Sequence, residues 1–273
     1  MPIRRDIIGF TQQVTHEITP RWVLAYAASL GFDGAFLDDA QPGGPLVPPS
    51  FCVCPEWALV GSDERAERLG ITPDERRRNV HALQDSTFHA PFRAGMRLTT
   101  TSTLAYARAT RAGALVVTKL DSRDADTGAA IVTSWSTAIM RDVDFAGAME
   151  VPVPADMPAP PAGAVSGAAT VVPTSRGLPH LYSEAARIWN PIHTERAVAL
   201  AAGLEDIIIH GTITWALAGR VLGDVMTLRR LSARFRAPVI PGESFTVQGS
   251  GPAFTALTQD GRVALSDGWA EYA

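Results

Sequence analysis

Two stretches of this chain share one spacing. Phe88-His-Ala-Pro-Phe-Arg-Ala-Gly-Met-Arg-Leu-Thr recurs as Phe235-Arg-Ala-Pro-Val-Ile-Pro-Gly-Glu-Ser-Phe-Thr, with Phe, Ala-Pro, Gly and Thr at equal intervals. Farther upstream, Val47-Pro-Pro-Ser-Phe stands in the first half where the second half has Ile209-His-Gly-Thr-Ile. A chain that repeats its turn chemistry in this way is constrained to build one kind of unit twice. Between residues 146 and 168 the composition changes to Pro, Ala and Gly with almost no periodicity, the mark of a linker. The expected units are therefore 1–145 and 169–273. With 273 residues and 46% hydrophobic content, the chain has ample material for a core.

Both units read helix first, strands after. In the first, 14–18 forms a short strand, and Thr19-Pro20 is an entry signal for a helix over 21–30 with Trp22, Leu24, Tyr26 and Leu30 on its apolar side. A breaker-rich loop covers 31–49, an apolar run 51–60, and a charged, exposed helical excursion 63–78. Strand patterns follow at 80–88, 97–107, 114–120 and 130–140, the last two joined by the turn Asp126-Thr127-Gly128. The second unit has strand patterns at 169–173, 228–237, 244–249 and 262–272, with helical material between the first two. This order predicts α+β units, each an antiparallel sheet wrapped around a central helix.

Charge and composition exclude several classes. A net charge of −4 without a basic stripe leaves no electrostatic footprint for nucleic acid, and Arg76, Arg77 and Arg78 read as a solvated helix face. No stretch approaches the roughly 20 apolar residues of a membrane span, and the N-terminus lacks a signal-peptide core, so the expected location is cytoplasmic. Cys52 and Cys54 are too close for a relaxed disulfide and too few for a structural zinc site, so they read as small buried hydrophobes and no metal is expected.

Site chemistry concentrates in 182–220. Pro191 fixes its own φ and biases Asn190 away from helix, so the chain turns before a helix resumes over 194–202, with Gly203 as its stop. His193 thus sits at a helix entrance, its imidazole aimed toward a core. The apolar run from Asp206 breaks at Gly211, where another helix begins whose first N–H groups lack intrahelical partners. Such an end can hold a carbonyl oxygen that gains negative charge.

Asn190-Pro191-Ile192-His193, the His210-Gly211 pair and Pro241-Gly242 together resemble the MaoC-like (R)-specific enoyl-CoA hydratases and dehydratases. The resemblance implies a double hotdog fold and one active site per chain. His193 matches the catalytic His, Asn190 and Pro191 the turn that positions it, and Gly211 the backbone donor to the thioester carbonyl. The family's catalytic Asp is replaced by Ile188. Glu184, four residues earlier, would share that face if the segment were helical, and is the candidate substitute. Glu195 reads as a favourable partner of a helix dipole. Tyr182, at the motif's start, is expected to pack with its hydroxyl at a pocket edge, and Ile188, Trp189 and His210 are expected to line the substrate site.

If Tyr26 is set against Tyr182, the first half has Leu37 in place of His193, and Pro48-Pro49 in place of His210-Gly211. In two-copy members of the family the first copy houses a bulky acyl group, which assigns Trp22, Tyr26, Phe32 and Phe51 to an acyl pocket. The implied substrate is a 2-enoyl-CoA or 3-hydroxyacyl-CoA, or the same acyl group on a carrier protein. No cofactor is implied, and a homodimer is. Two other readings stay open: a hotdog enzyme with changed chemistry, such as isomerisation, elimination or cyclisation, and a non-catalytic ligand-binding or partner subunit.

Overall fold

A computed structural model describes residues 2–146, 151–249 and 251–273. The start of the Pro/Ala/Gly segment, at 147–150, lies outside the described residues. The first half runs β1 (Ile3–Arg4), β2 (Thr11–Glu17), α1 (Pro20–Ser29), α2 (Val53–Val60), α3 (Asp63–Leu69), α4 (Pro73–Arg77), β3 (Asn79–Phe88), β4 (Arg97–Thr110), β5 (Gly113–Asp124), β6 (Ala130–Arg141) and β7 (Phe145–Ala146). The second runs β8 (Ala169–Pro173), α5 (Leu178–Ala186), α6 (Arg196–Ala201), α7 (Gly211–Leu222), β9 (Leu228–Phe235), β10 (Ser244–Gln248), β11 (Ala253–Thr258) and β12 (Val263–Tyr272).

Ten strands form one sheet in the order β2-β4-β5-β6-β3-β9-β12-β11-β10-β8. Read outward from the central β3–β9 pair, both halves have the same topology, so the sheet is two copies of one unit joined edge to edge. Its pairings are antiparallel throughout. In β4, buried and less buried residues alternate from Leu98 to Leu104, as a strand with one face on a core requires. That core is shared: Trp22, Tyr26 and Phe51 of the first half lie in one apolar cluster with Tyr182, Trp215 and Phe245 of the second. This is the double hotdog, with α2 against β2 and β4, and α7 against β9 and β12.

The repeated Ala-Pro and Gly spacing around residues 88–99 and 235–246 has a structural cause. Gly95 and Gly242 both adopt positive φ, at 84° and 92°, a conformation glycine enters without steric cost. The flanking bonds repeat too. His89 N–H donates to Ile131 C=O at 2.8 Å and Arg236 N–H to Ala264 C=O at 2.9 Å. Beside the glycines, Ile18 N–H reaches Met96 C=O at 2.9 Å and Thr174 N–H reaches Glu243 C=O at 3.2 Å.

The helices that carry the site obey the same pseudo-symmetry. Thr19 caps α1, its hydroxyl accepting from Trp22 N–H at 3.3 Å, with Pro20 in the first turn. Helix α1 packs on α5, where Tyr26 and Tyr182 meet with ring centroids 5.8 Å apart. Each tyrosine hydroxyl lies 3.0 Å from the hydroxyl of a counterpart residue near its own central helix, Ser50 for Tyr26 and Thr212 for Tyr182. Trp22 Nε1–H crosses between halves to the Ala185 carbonyl at 2.9 Å.

Several expectations change. Strand β11 is an addition to the expected strands; three of its four buried positions are alanine or threonine, which carry little apolar signal. The charged stretch 63–78 forms α3 and α4 but is not wholly exposed: Leu69 is buried, and Arg65 is buried with its guanidinium 3.2 Å from the Thr118 hydroxyl. The helix expected over 194–202 begins only at Arg196. His193 instead closes a single 3₁₀ turn, Pro191–His193.

The first half also buries a carboxyl group. Glu56 on α2 is 3% exposed, with Oε1 2.5 Å from Ser134 Oγ and Oε2 3.1 Å from Gln84 Nε2. Desolvation pushes its pKa up to about 8, so the folded protein keeps this proton at neutral pH while the unfolded chain gives it up. Its contribution is thus fully present below the unfolded value near 4.5 and is lost as pH rises toward 8. Below pH ~6.5 the buried histidines act in the opposite sense, so the clean window is pH 6.5–8. There, urea unfolding is expected to show the wild type losing about 2 kcal/mol while Glu56→Gln changes little. Parallel pH profiles of the two proteins would refute this assignment.

Candidate active site

Helix α5 ends at Ala186 because Arg187 turns into the left-handed region, at φ 59° and ψ 37°, and the Ile188 N–H then bonds the Ser183 carbonyl at 3.0 Å. The chain leaves the helix there. Asn190 is extended and its side-chain oxygen lies 3.5 Å from the Ile192 N–H, holding the 3₁₀ turn in the local role expected of it. At the end of that turn His193 is buried, with Nδ1 2.8 Å from the Ile208 carbonyl. A carbonyl only accepts, so Nδ1 carries the hydrogen and Nε2 presents its lone pair. Burial lowers the His193 pKa to about 4, so the imidazole is a neutral base at physiological pH.

His210 stacks on it, with centroids 3.7 Å apart and planes at 21°. Its Nε2 lies 3.2 Å from Ser183 Oγ and 3.4 Å from the Ile188 carbonyl, and its Nδ1 is a buried nitrogen without a hydrogen-bond partner. Burial and the neighbouring His193 hold its pKa well below the ordinary histidine value. Neither ring gains a proton cheaply beside the other. The pair ties the 182–193 segment to the start of α7, since His210 immediately precedes that helix.

Gly211 is the first residue of α7, whose leading N–H groups have no partners within the helix. Glycine is needed here for close approach: a Cβ would lie 2.7 Å from Cδ1 of Phe235 on β9. Gly211→Ala is therefore expected to cost about 1–3 kcal/mol through overpacking, measured by chemical denaturation. An alanine variant of wild-type stability would contradict the contact.

The other expected site residues are distributed differently. Ile188 is buried, and its apolar side chain belongs to the shared core. Glu184 is exposed, with Oε1 accepting from Trp189 Nε1–H at 3.2 Å. The helix stops two residues before Ile188, so the helical spacing that would put Glu184 on its face does not apply. Among the described residues no carboxylate is hydrogen-bonded to either imidazole. Tyr182 is fully buried and its hydroxyl is engaged with Thr212, so it is not at a pocket edge. Glu195 precedes α6 and accepts from the Thr194 hydroxyl at 2.6 Å. The supporting groups that sequence reasoning missed are the Ile208 carbonyl and Ser183; a backbone carbonyl leaves no sequence signal.

Two cavities lie alongside. One, of about 460 Å³, runs between α1 and α5 and is lined by Thr19, Arg21, Trp22, Leu181, Glu184 and Arg187 among others. The second, of about 250 Å³, is lined by His16, Trp22, Cys54, Trp57, Arg187 and Trp189 together with Ala58 and Gly61. Trp22 and Trp189 thus face open space, whereas Tyr26 and Phe51 line neither cavity and pack edge-on to each other at 5.3 Å in the core, with Phe32 also buried. His193, His210 and Gly211 line neither cavity.

Residues 172–263 match the family described as MaoC like domain, and residues 6–134 match the FAS1-like, dehydratase domain region. A curated relative, 3-hydroxyacyl-thioester dehydratase Y of Mycobacterium tuberculosis, is 29% identical over 303 aligned positions covering 100% of this chain and 99% of the relative. Other curated relatives, including a peroxisomal multifunctional enzyme type 2 of Drosophila melanogaster, are longer proteins, and this chain spans 28% of that one. Among solved structures, a MaoC-like dehydratase from Phytophthora capsici superposes with a TM-score of 0.78 at 21% identity, covering 98% of this chain and 96% of that one. A Mycobacterium tuberculosis protein described as having a double hotdogfold gives a TM-score of 0.64 at 17% identity, over 96% and 94% of the two chains. Among the described residues, no helix is long and apolar enough to cross a membrane.

Proposed function

The chain belongs to the MaoC-like family of double-hotdog proteins, and on that premise we propose that it is an acyl-thioester hydratase/dehydratase interconverting a 3-hydroxyacyl thioester and the 2-enoyl thioester. The observation that carries this reading is the neutral His193 ring, its tautomer fixed by the Ile208 carbonyl, stacked on His210 just before α7. A single imidazole serves both proton transfers when hydrogen and hydroxyl leave from one face. His193 Nε2 takes the proton from C2, the C3–O bond breaks, and the same proton leaves with the hydroxyl as water. The thioester oxygen gains charge as C2 loses its proton, and this reading assigns the Gly211 N–H, at the start of α7, to receive it.

Ile188 supports a second reading. Ile188 is apolar and buried, Glu184 is bonded to Trp189, and among the described residues no carboxylate is hydrogen-bonded to the imidazole. That favours one-base chemistry, such as isomerisation or elimination, on an acyl thioester of another kind. Hydration of crotonyl-CoA by the purified protein, followed as loss of the conjugated enoyl absorbance, tests the first reading. Binding without conversion argues for the second.

A further inference from the structure

Arg187 breaks the pseudo-symmetry in an instructive way. Its counterpart in the first half is Gly31, which occupies the same place after α1 with φ 69°. The following bonds correspond as well: Phe32 N–H to the Ala27 carbonyl and Ile188 N–H to the Ser183 carbonyl, both at 3.0 Å. Glycine meets this left-handed conformation freely, while an arginine is strained in it. Strain retained where glycine would serve directs attention to the side chain.

That side chain sits over Trp22, its guanidinium carbon 3.9 Å from the ring centroid. It also lines both cavities. The smaller one is walled by the indoles of Trp22, Trp57 and Trp189, and no Asp or Glu lines it. Among the described residues, no carboxylate forms an ion pair with Arg187. A guanidinium held over an indole by its face keeps N–H groups at its edge that can take two oxygens side by side. Between Arg187 and Trp189, which line this cavity, the Ile188 carbonyl lies 3.4 Å from His210 Nε2.

We propose that Arg187 anchors a carboxylate carried on the acyl part of the substrate, which makes it a specificity-determining residue for a dicarboxylic acyl thioester. The assignment rests on the acyl-thioester reading above. A small space walled by three indoles suits an alkyl-borne carboxylate, which sheds water more readily than the phosphates of CoA.

The test is binding of saturated thioesters, which need no catalysis: succinyl-CoA against butyryl-CoA, read by quenching of the tryptophans that wall the cavity. The wild type is expected to prefer succinyl-CoA by roughly tenfold or more. Arg187→Gly is expected to abolish that preference while leaving butyryl-CoA binding unchanged. Because the backbone already suits glycine, this variant is expected to melt no lower than the wild type. Arg187→Lys, which keeps the charge without the fork, is expected to lose most of the preference. Equal wild-type binding of the two thioesters overturns the anchor and leaves the thioester reading standing. An equal loss for both in Arg187→Gly also overturns it, and assigns the arginine to the CoA phosphates. Binding of neither overturns both.

Discussion

Replacing His193 with alanine or glutamine is expected to lower kcat/KM for a 2-enoyl thioester by about 10²–10⁴-fold, the contribution typical of a positioned general acid or base. The effect is expected at the high end because, among the described residues, no carboxylate is hydrogen-bonded to the histidine pair to take over the work. Glutamine is the more informative change: its amide N–H can still donate to the Ile208 carbonyl, so the turn survives while the base is lost. Circular dichroism of His193→Gln is therefore expected to match the wild type. The pH profile adds a sign. With the imidazole pKa lowered to about 4, wild-type kcat/KM is expected to hold as pH falls through 6.5 and to drop only as pH approaches 4. An acid limb at the ordinary histidine value, or a fully active glutamine variant, would contradict the role.

The largest stability effect is expected at the seam between the halves. Asp85 on β3 accepts two hydrogen bonds from Arg230 on β9, from Nε at 2.9 Å and from Nη2 at 2.7 Å. The two side chains are 5% and 20% exposed. Removing the carboxylate leaves a half-buried guanidinium without its partner, so Asp85→Ala is expected to cost about 3 kcal/mol. Replacing both by apolar residues of similar volume removes the uncompensated charge, and Asp85→Leu/Arg230→Met is expected to lose much less. Urea unfolding of the two variants measures this. A double variant as unstable as Asp85→Ala would show that packing, and not charge, dominates the seam.

The parts of the fold legible in the sequence are those set by local chemistry. Thr19-Pro20 is a local helix-start signal, and the matching glycines at 95 and 242 mark a turn that glycine enters freely. Long strands such as β4 are legible through their content of β-branched residues. Strand β11 is not, since Phe254 and Leu257 are its only large apolar residues.

The motif around Asn190 was readable for the same reason: a proline turn is local. What failed was the extrapolation along α5. Helical spacing linked Glu184 to Ile188, but the left-handed Arg187 ends the helix between them, and no rule for a lone arginine predicts that conformation. The stacking of His193 on His210 was also invisible, because it depends on where α7 begins relative to a turn 17 residues earlier in the numbering, from His193 to His210. Tyr26 and Phe51 looked like pocket walls because aromatic residues fill cores and pockets alike.

The central claim is that one neutral imidazole beside the start of α7 suffices for hydration without the carboxylate. The most direct measurement is steady-state hydration of crotonyl-CoA and a medium-chain 2-enoyl-CoA by the wild type, His193→Gln and Ile188→Asp in one assay. Turnover by the wild type that disappears in His193→Gln is expected. A silent wild type beside an active Ile188→Asp would contradict it, showing an intact scaffold whose own chemistry is different.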